Sequence, residues 1–305
     1  MELLHQMVQK LDQELRIDDY GKDSGFSRFI PAVYEPAGFE WDMFFEKKFT
    51  ELFNGLMLKG GPEVSKVFLA VFPADEVLEK FIAEAKEGDL LFMHHPLVME
   101  CGDPQGKWGQ GFIPVKERYL RQIKEKKLSL YTCHTPLDYH QELGTNGAMA
   151  KALNGNVIDR CLPNEFGEYL VWICEIPSKS TQMLLSELKE IFEIPYVDFE
   201  GPAAGRIEKA AIIAGCGDKV SWMEEALRKG AQAYITGEIH CHINNEYGRR
   251  RYSEMMEFAT RSPIPLIGVS HAASEFLVMK TLMKDWFEAN FKVETVMLRQ
   301  DQWWV

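Results

Sequence analysis

The stretch from Lys66 to His95, "KVFLAVFPADEVLEKFIAEAKEGDLLFMHH", gives the clearest indication of the fold. It opens with a run rich in valine and phenylalanine, as is typical of a strand. It continues with apolar side chains at the three-to-four-residue spacing of an amphipathic helix, passes through Gly88 and closes on a second apolar run. Two strands joined by a helix form a βαβ unit, whose strands belong to one helix-covered sheet. The stretch therefore predicts an α/β fold.

A second stretch, from Lys209 to Glu238, repeats this order of strand, turn, helix, glycine and strand: "KAAIIAGCGDKVSWMEEALRKGAQAYITGE". Farther along, "LYTCHTPLD" (130–138) matches "LIGVSHAASE" (266–275), and in each an acid follows a histidine by four residues. The repetition predicts an internal duplication. We therefore expect two similar α/β lobes with mixed sheets flanked by helices, and a metal site in the cleft between them.

The expected organisation has three parts. An N-terminal helix and an irregular lead-in occupy residues 1–50, because residues 18–38 are rich in Gly, Pro and Asp. The two-lobed domain spans 51–290, with a lobe boundary near 150, and its C-terminal part could return to the first lobe. The tail, 291–305, ends in "QDQWWV". We expect its aromatic end to pack at a subunit contact or in a cavity, because an exposed aromatic patch is costly.

Composition limits the partners. The 305 residues carry a formal net charge of -12, which repels a phosphodiester backbone, so nucleic acid is not expected as a partner. The six cysteines form no C-x-x-C pair and are typical of reduced, buried thiols. The N-terminus lacks the apolar core of a signal peptide, and no apolar run has the length of a membrane span. We expect a cytoplasmic protein that does not bind a membrane.

Four clusters of histidine and acid each follow a predicted strand. They are His94 with His95, His134 with Asp138, Glu238 with His240 and His242 in "TGEIHCH", and His271 with Glu275. The carboxyl ends of strands gather in space in α/β sheets, so we expect the clusters to converge. Neighbouring side chains on a strand point to opposite faces. Where Pro96 ends the strand, however, the rings of His94 and His95 can enter one crevice or serve two ions.

The ligand types indicate which metals would suit such a site. Imidazole and carboxylate together suit Zn, Fe, Mn, Co or Ni. Cys241 is the one thiol that the sequence places near these clusters, so a structural cysteine–zinc site is not expected.

Taken singly, each cluster has a simpler explanation. The alternatives are a helix-surface pair for His271 and Glu275, a helix N-cap for Asp138, a solvated acid at a helix start for Glu238, and ordinary surface positions for His240 and His242. Because all four clusters follow strands, we favour the joint metal site.

The order of these motifs resembles the Nif-three-like dinuclear-metal family, the GTP cyclohydrolase 1 type 2 homologues. HHPL is followed by HTPLD with Gly144-x-Asn146, then TGEIxxH, then SHxxSE. The similarity runs from about Asn54 to about residue 283. This chain departs from the family pattern at Ser270, where a glycine usually precedes the last histidine, and at Phe72 and Pro73 after the first strand.

The resemblance implies two divalent metal ions. The implied ligands are His94, His95, Asp138, His271 and Glu275, with Glu275 bridging the ions. His134 would orient one of the ligands, and Glu238 and His242 would line the same cleft as proton-transfer groups.

The function implied by the resemblance is metal-dependent hydrolysis. Metal-activated water would attack GTP, or a related small molecule, at the imidazole carbon between the two ring nitrogens. The family also implies a homohexamer. A non-catalytic metal-binding scaffold or interaction protein is the alternative, since the sequence contains no P-loop lysine motif and no G-x-G-x-x-G after a strand. A serine hydrolase is disfavoured because no G-x-S-x-G elbow is present.

Overall fold

The computed structural model describes residues 1–103 and 105–302. The helices are α1 (Leu4–Glu14), α2 (Ile17–Tyr20), α3 (Phe26–Tyr34), α4 (Trp41–Phe44), α5 (Lys47–Leu52), α6 (Asp75–Glu84), α7 (Glu117–Glu125), α8 (Thr135–Tyr139), α9 (Thr145–Ala152), α10 (Thr181–Phe192), α11 (Val220–Arg228), α12 (Glu246–Ala259), α13 (His271–Val278) and α14 (Lys284–Asn290), with a π-helical turn at Met279–Met283. The strands are β1 (Glu2–Leu3), β2 (Gly55–Leu58), β3 (Glu63–Val64), β4 (Lys66–Ala70), β5 (Leu90–Met93), β6 (Val98–Glu100), β7 (Gly111–Ile113), β8 (Ser129–Thr132), β9 (Asn156–Pro163), β10 (Tyr169–Lys179), β11 (Asp198–Glu200), β12 (Ile207–Cys216), β13 (Ala233–Glu238), β14 (Leu266–Gly268) and β15 (Glu294–Met297).

The chain divides into two compact units. Unit 1 contains Met1–Met99, Phe112–Leu137 and Met279–Asp301, and unit 2 contains Glu100–Gly111 and Asp138–Val278. The C-terminal elements α14 and β15 therefore belong to unit 1 together with the first βαβ stretch.

Unit 1 is built on a five-stranded sheet with the strand order β15-β4-β5-β8-β2. Four strands run parallel, and β2 pairs antiparallel with β8 at one edge. The side chains of β5 and β8 are buried throughout, as parallel central strands covered on both faces require. Helix α6 packs on this sheet through Phe81, whose ring meets Phe68 of β4 edge-on at 5.1 Å between centroids.

Unit 2 is built on a six-stranded sheet with the order β11-β14-β13-β12-β10-β9. Its central strands β12, β13 and β14 are parallel, and β11 pairs antiparallel with β14. The run β11-β14-β13-β12 thus repeats the run β2-β8-β5-β4 of unit 1, strand for strand and in direction. The predicted α/β fold with mixed sheets flanked by helices is confirmed, and the repeat seen in the sequence has a counterpart in topology.

The lead-in at residues 18–38 differs from the prediction, because it contains α2 and α3 rather than irregular chain. Helix α3 includes Pro31, which costs about 3 kcal/mol in a helix interior. The helix nevertheless forms because Phe26, Ile30 and Tyr34, spaced four residues apart, are buried in the core of unit 1. Burying three such side chains stabilises the helix by roughly 1.5–3 kcal/mol each, which outweighs the proline.

Two further predictions concern the surroundings of the chain. Within residues 1–103 and 105–302, no helix combines the length and the apolar character that crossing a bilayer requires. The predicted packing of the "QDQWWV" tail rests on Trp303, Trp304 and Val305, which lie outside the described residues.

Candidate metal centre

The two adjacent histidines stand where the buried strand β5 ends. The backbone N–H of His94 donates to the carbonyl of Ala70 at 3.3 Å, and that of His95 donates to the carbonyl of Val71 at 2.9 Å. The chain bends at His94, and the two buried rings lie 4.5 Å apart between centroids at an interplanar angle of 82°. The rings therefore lie together, edge to face, and do not point to opposite faces of the sheet.

The surroundings of the two rings fix their orientation. His94 Nδ1 lies 2.7 Å from the carbonyl oxygen of Cys133. A carbonyl only accepts, so Nδ1 carries the proton and Nε2 keeps the lone pair that a metal ion needs. The ring of His95 stacks on Phe72 at 4.4 Å between centroids and meets Phe26 edge-on at 5.7 Å. Both histidines are thus held by the fold, with an aromatic wall beside His95.

His134 completes this group in unit 1. Its ring centroid lies 5.2 Å from that of His94 and 5.0 Å from that of His95. Its Nδ1 lies 2.9 Å from Asp23 Oδ2, and its backbone N–H donates to Asn54 Oδ1 at 2.7 Å. The three histidines can each offer a ring nitrogen within 4.8 Å of the other two. Such convergent imidazoles, one with a carbonyl partner and one with a carboxylate partner, fit a divalent transition-metal ion.

Asp23 is a residue that the sequence argument missed. Its Oδ1 accepts from the N–H groups of Gly25 and Phe26 at 2.9 and 2.8 Å, and its Oδ2 accepts from the Thr135 hydroxyl at 2.7 Å. Burial alone would raise the pKa of Asp23, but the charge of His134 and these hydrogen bonds outweigh it, so the pKa lies well below its usual range. Asp23 is therefore an ionised partner of His134. In the sequence, an aspartate just before a helix start indicates a cap, but nothing there indicates that it pairs with His134.

In unit 2, His271 stands between two carboxylates. Glu238 is the last residue of β13, while His271 and Glu275 lie one turn apart at the start of α13. His271 Nδ1 lies 3.3 Å from Glu238 Oε1, and His271 Nε2 lies 3.0 Å from Glu275 Oε1. All three side chains are buried. A helix-surface pair is therefore the wrong explanation for His271 and Glu275, and a solvated acid at a helix start is the wrong explanation for Glu238.

The charge balance around His271 favours a cation. Burial lowers the pKa of His271, but Glu275, Cys101 and Glu238 together raise it well above its ordinary value. A neutral imidazole has a single N–H, so one of the two carboxylates would face a lone pair. Either a second ring proton or a metal ion relieves that repulsion. The donor set of unit 2 therefore also fits a divalent ion.

Cys101 joins Glu238 and His271 as a third member, with one donor atom from each within 4.8 Å of the others. Burial, together with the Glu238 carboxylate, raises the pKa of the Cys101 thiol. The expectation that Cys241 is the one thiol near these clusters is therefore wrong. A single cysteine in the segment after β6 carries no pattern from which this placement could be predicted.

Asp138 lies in α8, one turn after His134. The Thr145 hydroxyl lies 3.4 Å from Asp138 Oδ1. Helix α9, which begins at Thr145, has Gly144 at its N-cap position, so the N-cap explanation for Asp138 is wrong.

His240 and His242 are buried, so their assignment as surface residues is wrong. The ring of His242 stacks on Trp108 at 5.0 Å between centroids and 13°, and meets Tyr252 at 5.2 Å. Burial, followed by the charge of His240, lowers the pKa of His242. His240 Nδ1 pairs with Asp198. The cluster of possible ligands around His271 includes Glu238 but not His242, and proton transfer by either residue stays a prediction.

The sequence comparisons agree on one family. The model of the Duf34/NIF3 (NGG1p interacting factor 3) family matches residues 49–302. A Pyrococcus abyssi protein named GTP cyclohydrolase 1 type 2 homolog is 29% identical over 253 residues, which are 80% of this chain and 88% of that protein. An Archaeoglobus fulgidus protein of the same name is 30% identical over 193 residues, 61% of this chain and 69% of that protein.

Solved structures share the fold. The Staphylococcus aureus hypothetical protein SA1388 superposes with a TM-score of 0.63 at 18% identity, covering 98% of this chain and 96% of that one. The protein TTHA1606 from Thermus thermophilus superposes with a TM-score of 0.61 at 23% identity, covering 98% of both chains. Because the family match runs from α5 to the end of the described residues and includes every predicted ligand, the chain belongs to the Duf34/NIF3 family.

Proposed function

We propose that this chain holds two divalent metal ions and is a metal-dependent hydrolase of a nucleotide or a related small molecule. The proposed ligands are His94, His95, Asp138, His271 and Glu275. The observation that carries the proposal is the group of three histidines in unit 1, whose donor atoms come within 4.8 Å of one another. The Pyrococcus abyssi and Archaeoglobus fulgidus relatives, named as GTP cyclohydrolase homologues, suggest the nucleotide.

Bound divalent ions would lower the pKa of water and polarise a substrate oxygen, which is the chemistry that hydrolysis needs. Neighbouring residues of the chain orient the histidine rings that would bind these ions. The Cys133 carbonyl keeps the proton of His94 on Nδ1, so that this ring can present Nε2 to an ion. Asp23 accepts from Nδ1 of His134 and holds the His134 ring beside those of His94 and His95. Phe26 and Phe72 pack around His95 and exclude bulk water from its ring.

In this proposal, Glu238 and His242 transfer protons during hydrolysis. The Glu238 carboxylate is buried against His271 Nδ1, where an oxygen can take up a proton and return it. Because burial and His240 lower the pKa of His242, its ring is neutral near pH 7 and can accept a proton.

Metal content per chain tests the metal part of the proposal. We expect untagged protein to contain two ions by inductively coupled plasma mass spectrometry, and His95→Ala and Glu275→Ala to contain fewer. His5→Ala, which alters an exposed histidine of α1, serves as the matched control and is expected to keep the full content. Little or no metal in the wild type, even after reloading, would overturn the proposal.

A turnover screen tests the hydrolase part. Metal-loaded protein is incubated with GTP, other nucleoside triphosphates and phosphoesters, and we expect turnover that His95→Ala abolishes while its circular dichroism stays native. Undiminished turnover in His95→Ala contradicts the proposed site. Two bound ions with no turnover would favour a non-catalytic metal-binding scaffold, in keeping with the words "interacting factor" in the family description.

A further inference from the structure

A pair of half-buried aromatic rings lies beside the histidine group of unit 1. Phe29 of α3 and Phe112 of β7 are 4.6 Å apart between ring centroids. The ring of Phe112 also lies 6.4 Å from that of His95. Phe26, which is buried, meets Phe112 edge-on at 5.3 Å and His134 edge-on at 4.7 Å. The pair therefore extends the aromatic cluster from the histidines to the surface.

Helix α3 supplies Phe29 from a part of the chain that precedes the family match, which begins at residue 49. The same segment holds His134 through Asp23 and packs Phe26 against it. Leaving Phe29 and Phe112 partly exposed forgoes part of the stabilisation that full burial of their rings would provide. Half-exposed aromatic rings beside a few polar side chains are typical of small-molecule sites. These features indicate a subsite for a small molecule at Phe29 and Phe112.

An exposed cation stands next to the aromatic pair. The guanidinium carbon of Arg28 lies 5.4 Å from the centroid of the Phe29 ring, and Arg28 Nε donates to the carbonyl of Ser24 at 2.9 Å. Among residues 1–103 and 105–302, no carboxylate forms an ion pair with Arg28, whereas the exposed Arg121 pairs with Glu117. Because the chain carries a net charge of -12, an arginine without an acidic partner is available to an anion from solution.

We propose that Phe112 and Phe29 hold the planar heteroaromatic ring of the substrate by stacking, and that Arg28 binds the anionic group of the same substrate. This inference rests on the proposed function and names its substrate class, an anion with a planar ring such as a nucleotide. Stacking on Phe112 places the ring next to His95, where hydrolysis would attack a ring carbon, and leaves the charged end to Arg28. Every nucleobase has a face that can stack, so these residues select for a ring and a charge and not for one base.

Equilibrium binding to the full-length chain tests the aromatic pair without any assay of turnover. The probes are GTP, guanosine and inorganic triphosphate, which carry the ring with the charge, the ring alone and the charge alone. We expect Phe112→Ala to weaken the binding of GTP and guanosine by about 5- to 100-fold, as the loss of one base–aromatic stack predicts, and to leave the binding of triphosphate unchanged. Phe112→Tyr keeps an aromatic ring and should keep the affinity for all three probes. Phe29→Ala should act in the same direction as Phe112→Ala, and it provides the test if Phe112→Ala does not fold.

The same probes test the role of Arg28. We expect Arg28→Gln to weaken the binding of GTP and triphosphate by about 3- to 10-fold, with a smaller effect at high salt, and to leave the binding of guanosine unchanged. Arg121→Gln removes the same charge from another exposed arginine of unit 1 and should bind all three probes as wild type does. Phe39→Ala is the matched control for the aromatic pair, because Phe39 is also a half-buried ring of unit 1 but packs on Tyr34.

Wild-type affinity for GTP and guanosine in both Phe112→Ala and Phe29→Ala overturns the inference, and so does an equal loss in Phe39→Ala. A wild type that binds none of the three probes overturns it as well. Metal content, measured on the same samples, separates this inference from the proposed function. Two bound ions without a loss specific to the ring probes overturn only the present inference. A loss specific to the ring probes in protein without metal supports the subsite and overturns the proposed function.

Discussion

Asp23 shows how a single residue supports the histidine group of unit 1. Its pKa is lowered on folding, so its ionised form stabilises the fold above the unfolded pKa of about 4, and this stabilisation is lost as the pH falls below that value. We expect Asp23→Asn to lower the free energy of unfolding by about 1–3 kcal/mol at pH 7, because buried donors lose a charged acceptor. The difference from wild type should shrink below about pH 4.

Urea denaturation of metal-free protein at pH 7, 5 and 3 measures this difference. Asp42→Asn, which alters an exposed aspartate, is expected to stay within about 0.5 kcal/mol of wild type. A difference for Asp23→Asn that is the same at all three pH values would contradict the assignment of the ionised carboxylate.

Sequence alone could predict single residues of the site only where their signal was local. His94 and His95 end a strand whose apolar pattern is plain, and their convergence could be predicted from the following Pro96. Asp23 and His134 are 111 residues apart, and no pattern in the sequence joins them. Cys101 likewise meets Glu238 and His271 only in the folded chain. Neither Asp23 nor Cys101 could therefore be predicted from the spacing of residues in the sequence.

The end of β12 carries a glycine whose position the site requires. Gly215 has φ +67°, and a Cβ there would lie 2.5 Å from Glu275 Oε1 and 3.3 Å from His271 Nε2. We expect Gly215→Ala to displace the Glu275 carboxylate and to lower the metal content measured by mass spectrometry. Backbone strain should also lower the free energy of unfolding by about 1–2 kcal/mol.

The variant Gly38→Ala separates the effect of backbone strain from the effect of displacing the Glu275 carboxylate. Gly38 has φ +69°, and a Cβ there would meet nothing within 4 Å, so its variant should show similar strain and full metal content. An equal loss of metal in both variants would mean that Gly215 acts through general instability, not through Glu275.

The elements that could be predicted are those whose pattern and burial agree. The helix predicted between the two strands of Lys66–His95 is α6, Asp75–Glu84, whose apolar residues Val77, Leu78 and Phe81 are buried. Helix α3 was missed because Gly, Pro and Asp around it argue against a helix. Its stability comes from burial in the core of unit 1, which local propensity does not contain.

Bound metal should raise the thermal stability of the whole protein by mass action. An ion present at 100 times its Kd stabilises the fold by about 2.7 kcal/mol, which for a chain of this length shifts the Tm by about 4 °C. We expect chelation to lower the Tm of wild type and of His5→Ala by at least this amount, as measured by calorimetry. His95→Ala should respond less, and an equal response would indicate that the histidine group does not hold the ion.

Assembly is the last property to test, and we propose the homohexamer that the family resemblance implies. Each chain carries a net charge of -12, so like copies repel at long range and associate only through close apolar or hydrogen-bonded contacts. Salt at 0.15 M screens that repulsion beyond about 8 Å, so assembly should be tighter there than at low ionic strength. Six chains of 35.1 kDa predict a mass of about 211 kDa by light scattering after size exclusion.

A truncation ending at Gln300 tests the predicted role of the aromatic tail in that assembly. Because the truncation removes Trp303, Trp304 and Val305, we expect a smaller mass if they pack at a subunit contact. A second chain in which both tryptophans become phenylalanine keeps an apolar tail and should keep the hexamer. A full hexamer in the truncated chain would exclude the tail from the contact, and a monomer in the wild type would contradict the hexamer itself. Since the charge repulsion is nearly the same in all three chains, any difference in mass between them reports on the tail.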